Sequence, residues 1–297
     1  MKPHTAVLET EVLAAFAPVQ LHTVFDGTVG AGGHAAALLQ SHPEIERYIA
    51  CDRDPAAHAI ATERLRAWGK KVEFVHSSYS DLSTILREKQ IPTIDGFLID
   101  IGLSSMQLDV AERGFSFRYP EAPLDMRMNP DAPRTAADLV NRLPERDLET
   151  MFREYGEEHR ARAAARAVVS ARKKRPIRTV GDLLHVLEPV LRKGKLHYAT
   201  LVFQALRIAV NDELKELESG LSAAVEHLSV GGRLAVISFH SLEDRIAKNF
   251  LRDRAKSEQL QLITKKPIMP THIETRQNPR SRSAKLRVAE KIGTSHA

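Results

Sequence analysis

Apolar positions in the first hundred residues fall into short runs separated by segments of helical spacing. Leu21–Asp26, Tyr48–Asp52, Val72–Val75 and Ile94–Asp100 read as strands; the last is apolar apart from Asp95 and Gly96. Between them, Ala35–Gln40, a segment opened by Pro55 that carries Ile60 and Leu65, and Leu82–Leu86 read as helices. Proline suits a first helical turn, where its missing N–H is not needed. Strand and helix alternating in this way predict a parallel sheet covered by helices.

The alternation stops after Asp100. Residues 106–140 are rich in Pro, Arg and Asp and read as a long loop region. From Pro144 to Val210 the spacing is helical, with an Ala- and Arg-rich stretch at Glu157–Arg175 and Thr179 placed to cap a helix from Val180. Glu213–Leu228 reads as a further helix, Gly231-Gly232 as a turn, and Arg233–Phe239 as a buried strand that resumes the sheet. Leu242–Leu251 is helical, and Gln261–Thr264 and Lys285–Ala289 supply the last two strands. The expected architecture is an α/β domain of residues 1–105 and 211–297, interrupted by an inserted, mainly helical segment, 106–210.

Composition adds limits. In 297 residues, 43% are hydrophobic and 27% charged, enough to bury a sizeable core. No apolar run approaches the roughly 20 residues of a membrane helix, and Met1-Lys2-Pro3-His4-Thr5 opens no signal-like apolar stretch. The single Cys51 excludes an internal disulfide and a multi-cysteine zinc site; it reads as a buried strand residue in a reducing, cytoplasmic protein. The net charge of +5 is unevenly spread. Residues 151–200 hold 12 Lys/Arg against 5 Asp/Glu, and residues 245–297 hold 13 against 4. Two basic blocks suit a polyanionic partner, or else they are solvated helical faces. With aromatics at 5%, extensive base-stacking platforms are not expected.

The candidate chemistry lies at strand ends. Val24-Phe25-Asp26-Gly27-Thr28-Val29-Gly30-Ala31-Gly32-Gly33-His34 is a Gly-rich strand-to-helix turn, which lets a ligand approach the backbone. Asp52 closes the next strand, where a carboxylate can bind ribose hydroxyls. Tyr79, just past the third strand, can lie against an adenine or be a half-buried helix start. Asp100 ends the fourth strand, where the reacting end of a nucleotide cofactor would lie. His34 is a base or a hydrogen-bonding support. His240 is part of a strand-end network with Asp244 or a substrate contact. No His/Cys/Asp spacing fits a metal site, so no metal is expected.

The sequence resembles the bacterial 16S ribosomal RNA (cytosine-N4)-methyltransferases. The resemblance rests on Asp26-Gly-Thr-Val-Gly-Ala-Gly-Gly-His34, Asp52-Arg-Asp-Pro55, Asp100-Ile-Gly-Leu-Ser-Ser-Met-Gln-Leu-Asp109 and Glu112-Arg-Gly-Phe-Ser-Phe117. It continues in Pro123-Leu-Asp-Met-Arg-Met128, Tyr155-Gly-Glu-Glu158, Phe203-Gln-Ala-Leu-Arg207, Ile237-Ser-Phe-His-Ser-Leu-Glu-Asp-Arg245 and Asn278-Pro-Arg-Ser-Arg-Ser283. It implies a class I (Rossmann-like) methyltransferase sheet, S-adenosyl-L-methionine as cofactor, and a decoding-region cytidine of 16S rRNA within the small ribosomal subunit as substrate. Carried over by position, the cofactor contacts are Gly32, Gly33, His34, Asp52, Tyr79, Asp100 and Gln107. Two departures are Tyr198, where the family usually has Pro, and a short stretch between Arg252 and Asn278.

The Asp/Asn-Pro-Pro-aromatic motif of many amino-methyltransferases is absent after the fourth strand; Asp100 and the Ser104-Ser105 turn occupy its place, and Asp125 is another carboxylate in a motif-bearing loop. Asp100 is the catalytic candidate, expected to help orient the cofactor and the target amine directly or through water. Asp125, Arg172, Lys173, Lys174, Arg175, His240, Arg280 and Arg282 are the substrate-binding candidates, with Lys285 and Arg287 as further phosphate contacts. A dinucleotide-dependent oxidoreductase, a non-catalytic ribosome-assembly factor and a methyltransferase for another substrate are the competing readings. No heptad pattern demands a dimer, and a homodimer through sheet edges or helices stays open.

Overall fold

A computed structural model describes residues 6–191, 194 and 197–293, with 105 and 106 by their backbone. The N-terminal segment Met1–Thr5 lies outside the described residues. The chain divides into two compact units, residues 1–102 with 214–297, and residues 103–213. The sequence-drawn boundaries fell at 105/106 and 210/211.

The first unit holds one seven-stranded sheet. Its strands are β1 (Thr23–Asp26), β2 (Arg47–Asp52), β3 (Val72–His76), β4 (Ile94–Asp100), β5 (Leu228–Ser238), β6 (Leu260–Leu262) and β7 (Lys285–Lys291). The order is β3-β2-β1-β4-β5-β7-β6. β7 runs antiparallel to both neighbours, while the other adjacent pairs are parallel. The strand period of two sends alternate residues into two apolar layers. Phe25, Ile49, Cys51, Phe97, Ile99 and Val236 face one layer with Leu82, Leu217, Leu221 and Leu251 from covering helices. Val24, Tyr48, Ala50, Leu98, Ala235 and Ile237 face the other with Phe16, Ala35 and Leu38. Both sides of the sheet are therefore covered, which is why its strands read as nearly continuous apolar runs. Phe25 and Phe97 stack across β1 and β4 at 5.9 Å, worth about 1 kcal/mol beyond their burial.

Two readings are corrected here. Gly231-Gly232 turns inside β5 and not ahead of it: Gly231 takes φ 82°, and the pairing passes from Ile94↔Leu228 to Gly96↔Arg233, so β5 loops out here before it resumes. A glycine takes that conformation without a Cβ clash, so the strand bulges instead of ending. Residues 106–140 are not one loop. They hold helical turns at Ser105–Asp109 and Ala111–Arg113 and the helix Ala136–Arg142.

The second unit is helical, with Ala136–Arg142, Glu145–Glu154, Ala161–Arg172, Val180–Leu187 and Thr200–Asn211 around a core that includes Leu139, Leu148, Phe152, Ala164, Val168, Leu183 and Leu206. Thr135 with Asp138, and Thr179 with Asp182, form capping boxes that start two of these helices. In helix Ala161–Arg172, Ala161, Ala164, Ala165 and Val168 are buried; small residues on that face allow close packing, Arg162 and Arg166 are exposed, and Arg172 shares the buried phase. No helix among the described residues is long and apolar enough to cross a membrane.

Candidate active site

The site is built where β1, β2 and β4 end at one edge of the sheet. Asp26 closes β1 and is almost fully buried. Its carboxylate accepts the Tyr48 hydroxyl hydrogen at 2.9 Å and the Thr28 N–H at 3.1 Å. Burial outweighs both bonds and pushes its pKa up to about 6. Gly27 follows because nothing larger fits: an added Cβ would lie 2.6 Å from Tyr79 Cβ and 2.7 Å from Ile99 Cγ2. Gly30 and Gly32 adopt left-handed conformations, φ 51° and 75°, and bring the turn back to the start of helix Gly33–Ser41.

Asp52 ties the end of β2 to that turn. Its Oδ2 accepts the Gly30 N–H and its Oδ1 the Asp54 N–H, both at 2.9 Å. Burial raises the Asp52 pKa although both N–H groups favour the charge. Each oxygen keeps accepting capacity for a ligand hydroxyl. Asp54 caps helix Pro55–Arg64 by accepting the Ala56 N–H.

His34 and Asp100 meet at the same edge. The His34 Nε2 lies 3.6 Å from Asp100 Oδ2, beyond hydrogen-bond distance. Among the described residues, both ring nitrogens of His34 and Oδ1 of Asp100 are buried without a hydrogen-bond partner. Burial alone would lower the His34 pKa, but the Asp100 carboxylate, helped by Asp26 and Glu9, raises it. The Asp100 backbone is held by its N–H donating to Thr28 Oγ1 at 2.7 Å. Buried polar atoms without partners are costly in a protein. With a Gly-lined turn and a ribose-ready carboxylate beside them, they fit a polar, nucleoside-bearing ligand.

The other cofactor candidates are placed differently. Tyr79 is buried, in the short turn Tyr79–Asp81, with Gly27 and Gly220 against it. Its ring is a wall of the core, the half-buried alternative carried further. Gln107 belongs to the second unit. There its backbone N–H donates to Ser104 Oγ at 3.2 Å, and its side-chain oxygen accepts the Ser104 N–H at 3.0 Å.

The substrate candidates divide by what they already hold. Asp125 forms a two-pronged pair with Arg127, closest at 2.7 Å. Arg172 donates to the Val140 carbonyl at 2.7 Å, ending helix Ala136–Arg142, and Arg175 pairs with Asp182. Lys173 and Lys174 are exposed. His240 is the N-cap of helix Ser241–Lys256, its ring 2.8 Å from buried Glu243; Asp244, the partner expected from the sequence, is held by Lys285 and Arg287. Arg282 is exposed and Arg280 half-buried in the turn Pro279–Ser283.

Arg287 is corrected. It is buried and donates to Asp244 Oδ1 at 2.7 Å, with Lys285 on Oδ2 at 3.1 Å. A cation in a strand covered on both faces needs an internal acid, and that was the signal available in Leu286-Arg287-Val288. Sequence reasoning also missed Thr28, the support of Asp100, and the clamp of Arg53, Ser78 and Ser80 on Glu216.

A sheet in the order 3-2-1-4-5-7-6 with strand seven reversed, a Gly-rich turn after the first strand and an acid ending the second define a class I methyltransferase. Residues 1–292 match the MraW methylase family model, and the chain belongs to that family. It is 49% identical to the ribosomal RNA small subunit methyltransferase H of Protochlamydia amoebophila, over 98% of each chain. It is 46% identical to the protein of that name from Geobacter sp. strain M21, over 97% of this chain and 98% of the other. Among solved structures, an rRNA methylase from Streptococcus thermophilus aligns over 95% of each chain at 12% identity and a TM-score of 0.46, too distant to carry an argument about function.

Proposed function

We propose that this chain transfers a methyl group from S-adenosyl-L-methionine to the exocyclic N4 of a cytidine in the decoding region of 16S ribosomal RNA, in the cytoplasm, within a small ribosomal subunit. The observation that carries the reading is the pair His34 and Asp100, whose buried polar atoms lack partners among the described residues, beside a left-handed Gly turn. The names of the relatives support the substrate class.

The bound cofactor would supply an electrophilic methyl on a sulfonium; the chain supplies alignment and a dry, charged site. Gly32, Gly33 and the start of helix Gly33–Ser41 hold one end of the cofactor, and Asp52 takes ribose hydroxyls. Tyr79 shapes the wall behind it. The cytosine amine is a weak nucleophile because its lone pair is delocalised into the ring. Asp100 accepts a hydrogen bond from it, which orients the remaining electron density, and then takes the proton it loses. His34 stands beside Asp100, its Nε2 3.6 Å from Oδ2. The helical unit binds the RNA; Lys173, Lys174 and Arg282 are exposed cations for phosphates.

The test is nucleoside analysis after reaction of the purified protein with labelled S-adenosyl-L-methionine and small subunits lacking the modification. N4-methylcytidine at one site is expected. Cofactor bound with no labelled nucleoside overturns the substrate, and no cofactor binding overturns the cofactor assignment.

A further inference from the structure

The conspicuous basic run Arg172-Lys173-Lys174-Arg175 commits both of its guanidinium groups, two of its four cations, to partners within the protein, Val140 and Asp182. The uncommitted arginines lie earlier on the same element. His159, Arg160, Arg162, Ala163 and Arg166 line an open groove at the start of helix Ala161–Arg172. Arg162 and Arg166 are one turn apart on its outward side, because Ala161, Ala164, Ala165 and Val168 occupy the buried side.

Charge balance in the groove is poor. Among the described residues, the Arg160 and Arg162 side chains have no carboxylate partner, and Arg166 has Glu145 only at 3.9 Å, with its own side chain 67% exposed. Glu158 is occupied with the Arg160 backbone N–H at 2.8 Å. Three guanidinium groups held together with one distant carboxylate, Glu145, repel one another, and an anion laid among them relieves this. Arginine forks match phosphate oxygens two at a time. Ala163 and the His159 ring are the lining residues other than arginine, with no large apolar side chain, so the groove lacks the apolar anchors of a protein interface.

We propose that this groove grips the phosphodiester backbone of the ribosomal RNA substrate; the assignment rests on the rRNA reading above. It makes the arginines of residues 160–166 the principal RNA contact of the helical unit.

The experiment compares the full-length protein with its Arg162→Gln/Arg166→Gln and Arg160→Gln variants. Binding to unmodified small subunits is followed across salt concentrations, with thermal stability and S-adenosyl-L-methionine affinity measured alongside. Each lost phosphate contact should lower the slope of log affinity against log salt by about 0.7 to 0.9. The double variant should therefore fall by about 1.5 and bind at least tenfold more weakly near physiological salt, with melting temperature and cofactor affinity unchanged. The single variant should lose about half as much. An unchanged slope in both variants, while the parent binds and methylates RNA, overturns the groove and leaves the function standing. A parent that binds no RNA overturns the function, and the groove proposal with it. Groove-dependent binding of polyglutamate in preference to RNA assigns the surface to an acidic protein and overturns the proposal.

Discussion

The Tyr48 hydroxyl donates to Asp26 Oδ2 at 2.9 Å, so the buried acid ending β1 is held by a phenol from the neighbouring strand. Burial still dominates, raising the Asp26 pKa from 3.8 to about 6. Between those values the folded protein holds a proton that the unfolded chain has released. Stability from this group is therefore greatest at low pH and falls as pH rises through the window, by about 3 kcal/mol at most. Asp26→Asn should remove this dependence. Tyr48→Phe, which takes away a donor favouring the charge, should move the window upward. Urea unfolding at a series of pH values checks both; parallel pH profiles for parent and Asp26→Asn would refute the assignment.

His34 reports on Asp100. Its raised pKa means that the stability it contributes is present below the ordinary 6.5 and is lost as pH climbs above that value. Asp100→Asn removes the largest opposing influence, so burial should then carry the imidazole below 6.5. Proton NMR of the His34 ring measures this directly. An upward or unchanged titration would show that the two groups do not interact.

Asp100→Asn should also cost turnover. An amide cannot take the amine proton, so kcat should fall about 100-fold, within the usual range for losing a general base. Cofactor affinity should change far less. Near-normal kcat in single-turnover methylation of small subunits would remove Asp100 from the chemistry.

Asp244 holds Arg287 and Lys285, which keep its carboxyl below the ordinary 3.8 although burial opposes them. Its contribution is present above that value and is lost as pH falls below it. Asp244→Asn would leave the Arg287 guanidinium buried without its acid, at a cost of about 3 kcal/mol near neutral pH. Thermal unfolding measures it, and a change under about 1 kcal/mol would mean that the cluster is solvated.

Gly114 has φ 69°, and a Cβ there would overlap the Pro123 carbonyl oxygen and lie 2.8 Å from the Asp125 nitrogen. Gly114→Ala should therefore destabilise the helical unit by about 2 kcal/mol or more. Limited proteolysis should show earlier cleavage within residues 103–213. Parent-like resistance would mean that the loop relaxes freely.

The sheet was legible because strands covered on both faces are apolar nearly throughout, as Phe97-Leu98-Ile99 is within Ile94–Asp100, and because a left-handed turn such as Gly30–Gly32 favours glycine. What stayed hidden was how each charge is used. Arg172, Arg175 and Arg287 look like free cations in the sequence, yet each binds an acceptor brought near only by folding: Val140, Asp182 and Asp244. The arginines at 160, 162 and 166 look no different, and only the helical phase that buries Ala161, Ala164, Ala165 and Val168 sets them along one groove. His240 beside Glu243 shows the same limit, because a helix cap and a substrate contact use the same residue types.

β6 touches the sheet only through β7, a strand that lies later in the chain and inserts between β5 and β6. During synthesis the edge of β5 and all of β6 must therefore wait without partners until residues 285–291 have been made. A nascent chain interrupted before that point would lack two strands, and would expose the apolar edge of β5 to any neighbour able to add a strand of its own.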